Sequence, residues 1–158
     1  MDILTLAETV LKRARQAEAR ITTAESCTGG LVAGAITEVA GASDIFDRGF
    51  VTYSNRAKQD MLGVSRSALD RFGAVSEPVA REMAEGARSQ AGADLAVSIT
   101  GIAGPGGSEH KPEGRVCFAL ANAQGTRSQT VEFGAIGRSN VRAAAVRHAL
   151  VMLADALR

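Results

Sequence analysis

A nine-residue junction, Thr22-Thr23-Ala24-Glu25-Ser26-Cys27-Thr28-Gly29-Gly30, constrains the fold of this chain more than any other stretch. A short apolar run over residues 19–24 leads into it. Apolar residues at helical spacing (Leu31, Val32, Ala35, Ile36, Val39) lead out. A strand that turns sharply into a helix holds its junction residues at the open end of a sheet. The first amides of such a helix lack intrahelical partners and are suited to an anion or a developing oxyanion. Ser26 or Cys27 is then placed as a nucleophile, with amides around Cys27 and Gly29 as oxyanion donors. The plainer alternative is that Ser26 or Thr28 caps the helix.

The flanking patterns extend this unit. Ile3, Leu6, Ala7, Val10, Leu11, Ala14 and Ala17 predict an amphipathic helix over residues 3–18. A strand at 19–24 and a helix at 29–40, closed by Gly41, follow. A second strand spans 49–53. Ser54 or Asn55 caps a short helix ending at Gly63, and Ser65 caps another ending at Gly73. Ser76-Glu77-Pro78 starts a helix running to about Ala91 and stopped by Gly92. A strand at 95–100 enters a glycine loop, residues 101–107. Strands at 116–121 and 126–133 flank a hairpin turn, and Ser139 caps a last helix to about Leu157. Helices alternate with strands early and a hairpin appears late. The expected architecture is α/β, a three-layer sandwich in which helices cover a mixed, partly antiparallel sheet.

The 158 residues read as one domain, 46% hydrophobic and 22% charged, with a net charge of +1. No basic stripe suggests duplex nucleic acid. Five Phe, one Tyr and no Trp offer little platform for single strands. No signal peptide or membrane-length apolar run is evident, so the expectation is a cytoplasmic chain with no membrane partner. Cys27 and Cys117 lie in different settings and imply no disulfide; Cys117 reads as a small core residue.

Few side chains are equipped for chemistry. His148 falls within the last helix and reads as structural, and His110 lies in a charged loop and reads as solvated. No metal-ligand spacing is present, so neither a metal nor another cofactor is expected. A serine can instead be activated by a lysine that has lost its proton. Lys58, one of few lysines, follows the sole tyrosine, Tyr53, by five residues. Tyr53 would end a strand and Lys58 would lie in the first turn of the next helix, a junction that can face Ser26. Alternatively, Tyr53 is a half-buried strand residue and Lys58 a surface charge. The glycine loop can bring backbone amides close to a phosphate, or it can be a lid or connector. No Lys-Ser/Thr follows Gly107, which excludes a Walker motif.

Four segments, TTAESCTGG, GFVTYSNRAK, SITGIAGPGG and KPEGRV, occur in an order that resembles the C-terminal domain of the CinA family. The resemblance covers nearly the whole chain. It implies an amidohydrolase converting nicotinamide mononucleotide and water to nicotinate mononucleotide and ammonia in pyridine-nucleotide salvage. It also implies Ser26, Tyr53 and Lys58 as catalytic residues, and Thr100, Gly101 and Gly104 as lining of the mononucleotide pocket. Substrate contacts are further expected from Cys27, Thr28 and Gly29. Arg138, Arg142 and Arg115 are all candidates for the phosphate, with Arg142 the working choice. The separate N-terminal domain that many CinA proteins carry, linked in the family to nucleotide pyrophosphatase activity, is not in this sequence, so that activity is not expected. A homodimer is expected from small size and resemblance. The competing reading is a catalytically silent nucleotide-binding or protein-interaction module tied to competence or DNA damage.

Overall fold

The computed structural model describes residues 1–158. Asp2 opens α1 (Ile3–Ala17) by accepting the Thr5 amide at 2.8 Å, and Glu18 closes it in the left-handed region. Its Leu6, Ala7, Val10, Leu11 and Ala14 are buried, as the three-and-four spacing requires. β1 (Ile21–Glu25) is buried at every position. α2 (Leu31–Thr37) leads to a short 3-10 turn at Ala42–Asp44 and then to β2 (Phe50–Val51). Three helices follow: α3 (Asn55–Leu62), α4 (Arg66–Phe72) and α5 (Glu77–Ala91). Ser54, Ser65 and Ser76 cap them through their hydroxyls. β3 (Leu95–Gly101), β4 (Arg115–Asn122), β5 (Gly125–Glu132) and α6 (Arg138–Ala156) complete the chain.

The five strands form one sheet in the order β2-β1-β3-β4-β5. β2, β1 and β3 are parallel, whereas β3, β4 and β5 are antiparallel. Strand alternation sorts side chains between two helical layers. Val97, Ile99, Val116 and Phe118 join the main core with α1, α2 and α6. Ala96, Cys117 and Ala119 face the other side, where α3, α4 and α5 pack. The expected three-layer sandwich with a mixed sheet is what forms. No helix is long and apolar enough to cross a membrane.

Several boundaries differ from the sequence pattern. The first strand starts at Ile21 and includes Glu25. α2 ends at Thr37 rather than near residue 40, because the chain turns into the 3-10 segment that Gly41 introduces with a φ of 90°. β2 keeps only two residues. Ser139 lies inside α6, whose N-cap is Gly137 without any side-chain bond. The hairpin turns on Ala123 and Gln124 alone, with Asn122 Oδ1 accepting the Gln124 amide at 2.9 Å.

Candidate active site

Three parallel strands end together. Glu25 is opposite Val51 on one side and Ile99 on the other, so Ser26, Thr52 and Thr100 emerge at one level of the sheet. Carboxyl ends of parallel strands are where α/β proteins hold small ligands. Here they open into a cavity of about 410 Å³ lined by Ser26, Cys27, Tyr53, Lys58, Arg138 and the loop from Thr100 to Glu109, among others. That volume lies within the roughly 300–1,000 Å³ of small-molecule sites.

Lys58 reaches into this cavity from α3. It is 1% exposed, and its Nζ lies 3.0 Å from Ser26 Oγ and 3.0 Å from the Thr52 carbonyl, to which it donates. Burial disfavours the ammonium and lowers its pKa from 10.5 to about 8, against the opposing pull of Cys27 and Glu109. Cys27 is also buried, and burial pushes its thiol up to about 12. A thiol in that state is a poor nucleophile near neutrality. Tyr53 departs from the expectation of a partner for Lys58. It is 62% exposed, and its hydroxyl accepts from Arg138 Nη2 at 2.9 Å. The other end of that guanidinium, Nη1, donates to the Gly104 carbonyl at 2.7 Å. Arg138 thus bridges the tyrosine and the glycine loop at the cavity wall.

The junction after β1 is built differently from an open helix N-terminus. The fully buried Glu25 carboxylate accepts the amides of Gly30 (3.2 Å), Val32 (2.9 Å) and Ala33 (3.0 Å). Neither Ser26 nor Thr28 caps α2; Gly30 is the N-cap residue and the bonds come from Glu25. The expectation that the first amides of α2 await an anion is therefore corrected. Gly29 donates to the Ser26 carbonyl at 3.0 Å, which removes it as an oxyanion donor. The amides of Cys27 and Thr28 donate to no protein acceptor. Capping rules look one to three residues upstream of a helix, and Glu25 acts from farther back, so sequence spacing missed it.

Other placements follow. Thr100, Gly101 and Gly104 line the cavity, and Thr100 Oγ1 donates to the Ala74 carbonyl at 2.8 Å. The amides of Ala103, Gly104 and Gly107 are without protein acceptors, whereas Gly106 donates to Glu113 Oε1 at 2.5 Å. Lys111 ties the far side of this loop to the Phe72 and Val75 carbonyls, both at 2.6 Å. Arg142, Thr28 and Gly29 are not among the cavity-lining residues. Arg142 Nε instead donates to the Cys27 carbonyl at 3.0 Å, and Nη2 to that of Thr28 at 3.4 Å. Arg115 pairs with Glu132 at 2.6 Å, on the β4–β5 edge. His148 is half-buried and packs against the rings of Phe118 and Phe133, away from the cavity.

Residues 3–157 match the family model described as the CinA C-terminal domain. The nicotinamide-nucleotide amidohydrolase PncC of Escherichia coli (strain K12) is 52% identical over 153 residues, covering 96% of this chain and 93% of that protein. The solved structure of competence/damage inducible protein CihA from Agrobacterium tumefaciens is 50% identical, with a TM-score of 0.94, covering 99% and 96% of the two chains. That of the competence damage-inducible protein A from Klebsiella pneumoniae is 37% identical, with a TM-score of 0.96, covering 99% and 98%.

Proposed function

This chain belongs to the CinA C-terminal domain family, and from that premise we propose that it hydrolyses the carboxamide of nicotinamide mononucleotide to nicotinate mononucleotide and ammonia. The observation that carries the reading is the buried Lys58 Nζ at 3.0 Å from Ser26 Oγ, at the wall of a cavity sized for a mononucleotide. Neutral Lys58 accepts the Ser26 hydroxyl proton as Oγ attacks the carboxamide carbon. The amide of Cys27, a residue that lines the cavity, receives the oxyanion. The ammonium of Lys58 then returns the proton to the departing amine, which leaves as ammonia. Water attacks the resulting ester, again giving a proton to Lys58, and collapse of the second oxyanion restores the Ser26 hydroxyl. The unpartnered amides of Ala103, Gly104 and Gly107, with Arg138 beside them, are suited to the phosphate. Tyr53 serves by holding Arg138 rather than by taking the proton. The reaction places the enzyme in pyridine-nucleotide salvage.

The test is ammonia release from nicotinamide mononucleotide by purified protein, repeated with Ser26→Ala and Cys27→Ser. Wild type should release one ammonia per nicotinate mononucleotide formed. Ser26→Ala should cut turnover by about 10²–10³-fold or more with the fold retained, while Cys27→Ser should keep most activity. A mild Ser26→Ala effect alongside a lethal Cys27→Ser would transfer the nucleophile's role to the thiol. A wild type inert on the mononucleotide would leave the silent nucleotide-binding module as the better reading.

A further inference from the structure

The lining of the cavity carries more positive than negative charge. Lys58 and Arg138 are its cations, and Glu109 is its one acidic residue. With a pKa of about 8, Lys58 is about nine-tenths protonated at pH 7. An ammonium therefore stands 3.0 Å from Ser26 Oγ in most molecules. That charge suits an anion but opposes a cation. The nucleotide of the amidohydrolase reading has a cationic pyridinium nitrogen meta to its carboxamide, so docking the carboxamide at Ser26 brings the ring charge toward the ammonium.

Glu109 is placed to offset this. Its φ is 52° and that of His110 is 63°, left-handed conformations that residues other than glycine adopt at a cost. The carboxylate lies against Gly73, where any Cβ would collide with Oε2. Lys111 Nζ is 3.8 Å from that oxygen and donates instead to the Phe72 and Val75 carbonyls. At 44% side-chain exposure the Glu109 oxygens are open to a ligand. Their charge also reaches into the site, since it favours the ammonium of Lys58 against burial. We propose that Glu109 is a specificity-determining residue that reads the positive charge of the substrate ring, so that the site takes cationic pyridinium nucleotides. Opposite charges across a protein-walled cavity interact more strongly than in bulk water. The inference deepens the amidohydrolase reading above and rests on it.

The experiment titrates two nucleotides into Ser26→Ala by calorimetry at pH 7, where affinity is read without turnover. One is nicotinamide mononucleotide. The other is its 1,4-dihydro form, which has the same ribose, phosphate and carboxamide on a neutral ring. Glu109→Gln, added to Ser26→Ala, removes the charge and keeps the side-chain shape. It should weaken the mononucleotide by about 5–10-fold and leave the dihydro form within about two-fold. Glu109→Asp, which keeps the charge, should weaken the mononucleotide less than Glu109→Gln does. Equal weakening of both nucleotides by Glu109→Gln would make Glu109 a support of the loop and overturn the proposal. No weakening of either would overturn it too, and would leave the ring to Tyr53, the one aromatic residue on the lining. Ammonia release by wild type separates this proposal from the reading beneath it. Charge-dependent binding without hydrolysis would sink the amidohydrolase reading and uphold the role of Glu109. Hydrolysis with binding indifferent to Glu109 would do the reverse, and binding of neither nucleotide would overturn both.

Discussion

Ser26 has two neighbours that compete for its role or assist it, and burial acts on them in opposite senses. Desolvation opposes the charged form of each, so it holds Cys27 as a thiol, near 12, and moves Lys58 toward the free amine, near 8. The same dry environment thus keeps the stronger intrinsic nucleophile protonated and moves the lysine toward the form that can accept a proton. At pH 7 about a tenth of Lys58 is neutral, and the fraction rises through pH 8. The rate of hydrolysis should therefore climb with pH along a limb centred near 8. Lys58→Ala should abolish that limb, and Lys58→Arg should not restore it, because a guanidinium stays protonated. The measurement is kcat/KM between pH 6 and 9.5 for the three proteins. An active Lys58→Arg protein would remove lysine as the proton acceptor. Ser26 and Lys58 were legible as candidates from residue type and junction position. Their separation of 3.0 Å was not, because it depends on the register that aligns the ends of β1 and β2.

At the scale of elements, the helix starts at Ser54, Ser65 and Ser76 could be read directly, since a hydroxyl caps the helix that immediately follows it. Glu25 could not, because its carboxylate bonds amides five, seven and eight residues on, a reach that exists only once the chain has folded back. The glycine loop lies between these cases. Its composition announced close backbone approach, but which amides stay free depends on Glu113, whose carboxylate occupies that of Gly106. A Cβ at Gly104 would run into that same Glu113 carboxylate, at a φ of +92° that disfavours any other residue. Gly104→Val should deform the loop where the free amides and Arg138 meet. Charge-assisted hydrogen bonds contribute about 1.5–3 kcal/mol each, so two or three should favour the mononucleotide over the riboside by at least about 10²-fold in kcat/KM. Gly104→Val should shrink that preference by about tenfold or more while slowing riboside cleavage less. Equal wild-type efficiency on the two substrates would return the loop to the role of a connector.

At the scale of the whole molecule, the alternation of helices and strands followed by a hairpin was enough to foresee a mixed sheet between two helical layers, because each pattern demands its own partner surface. Strand order was beyond that reading, since it is fixed by packing between distant segments, such as α5 against β3 and β4. Lys58 ties this global packing to the proposed chemistry. In the unfolded chain its pKa is near 10.5 and in the fold near 8, so between those values the unfolded state binds more protons and stability rises with pH. Below pH 8 the fold carries the full penalty, on the order of 3 kcal/mol. Lys58→Met removes that penalty while keeping a long, flexible side chain, and it leaves the Thr52 carbonyl without its donor, a loss independent of pH. The difference in stability between variant and wild type should therefore drift by about 2–3 kcal/mol in favour of wild type from pH 7 to pH 10, whatever its starting sign. Urea unfolding of both proteins at pH 7, 8.5 and 10 measures the drift, and groups that titrate alike in the two proteins cancel. A difference that stays flat with pH would mean that Lys58 is not desolvated in solution, and the alkaline limb of activity would then need another owner.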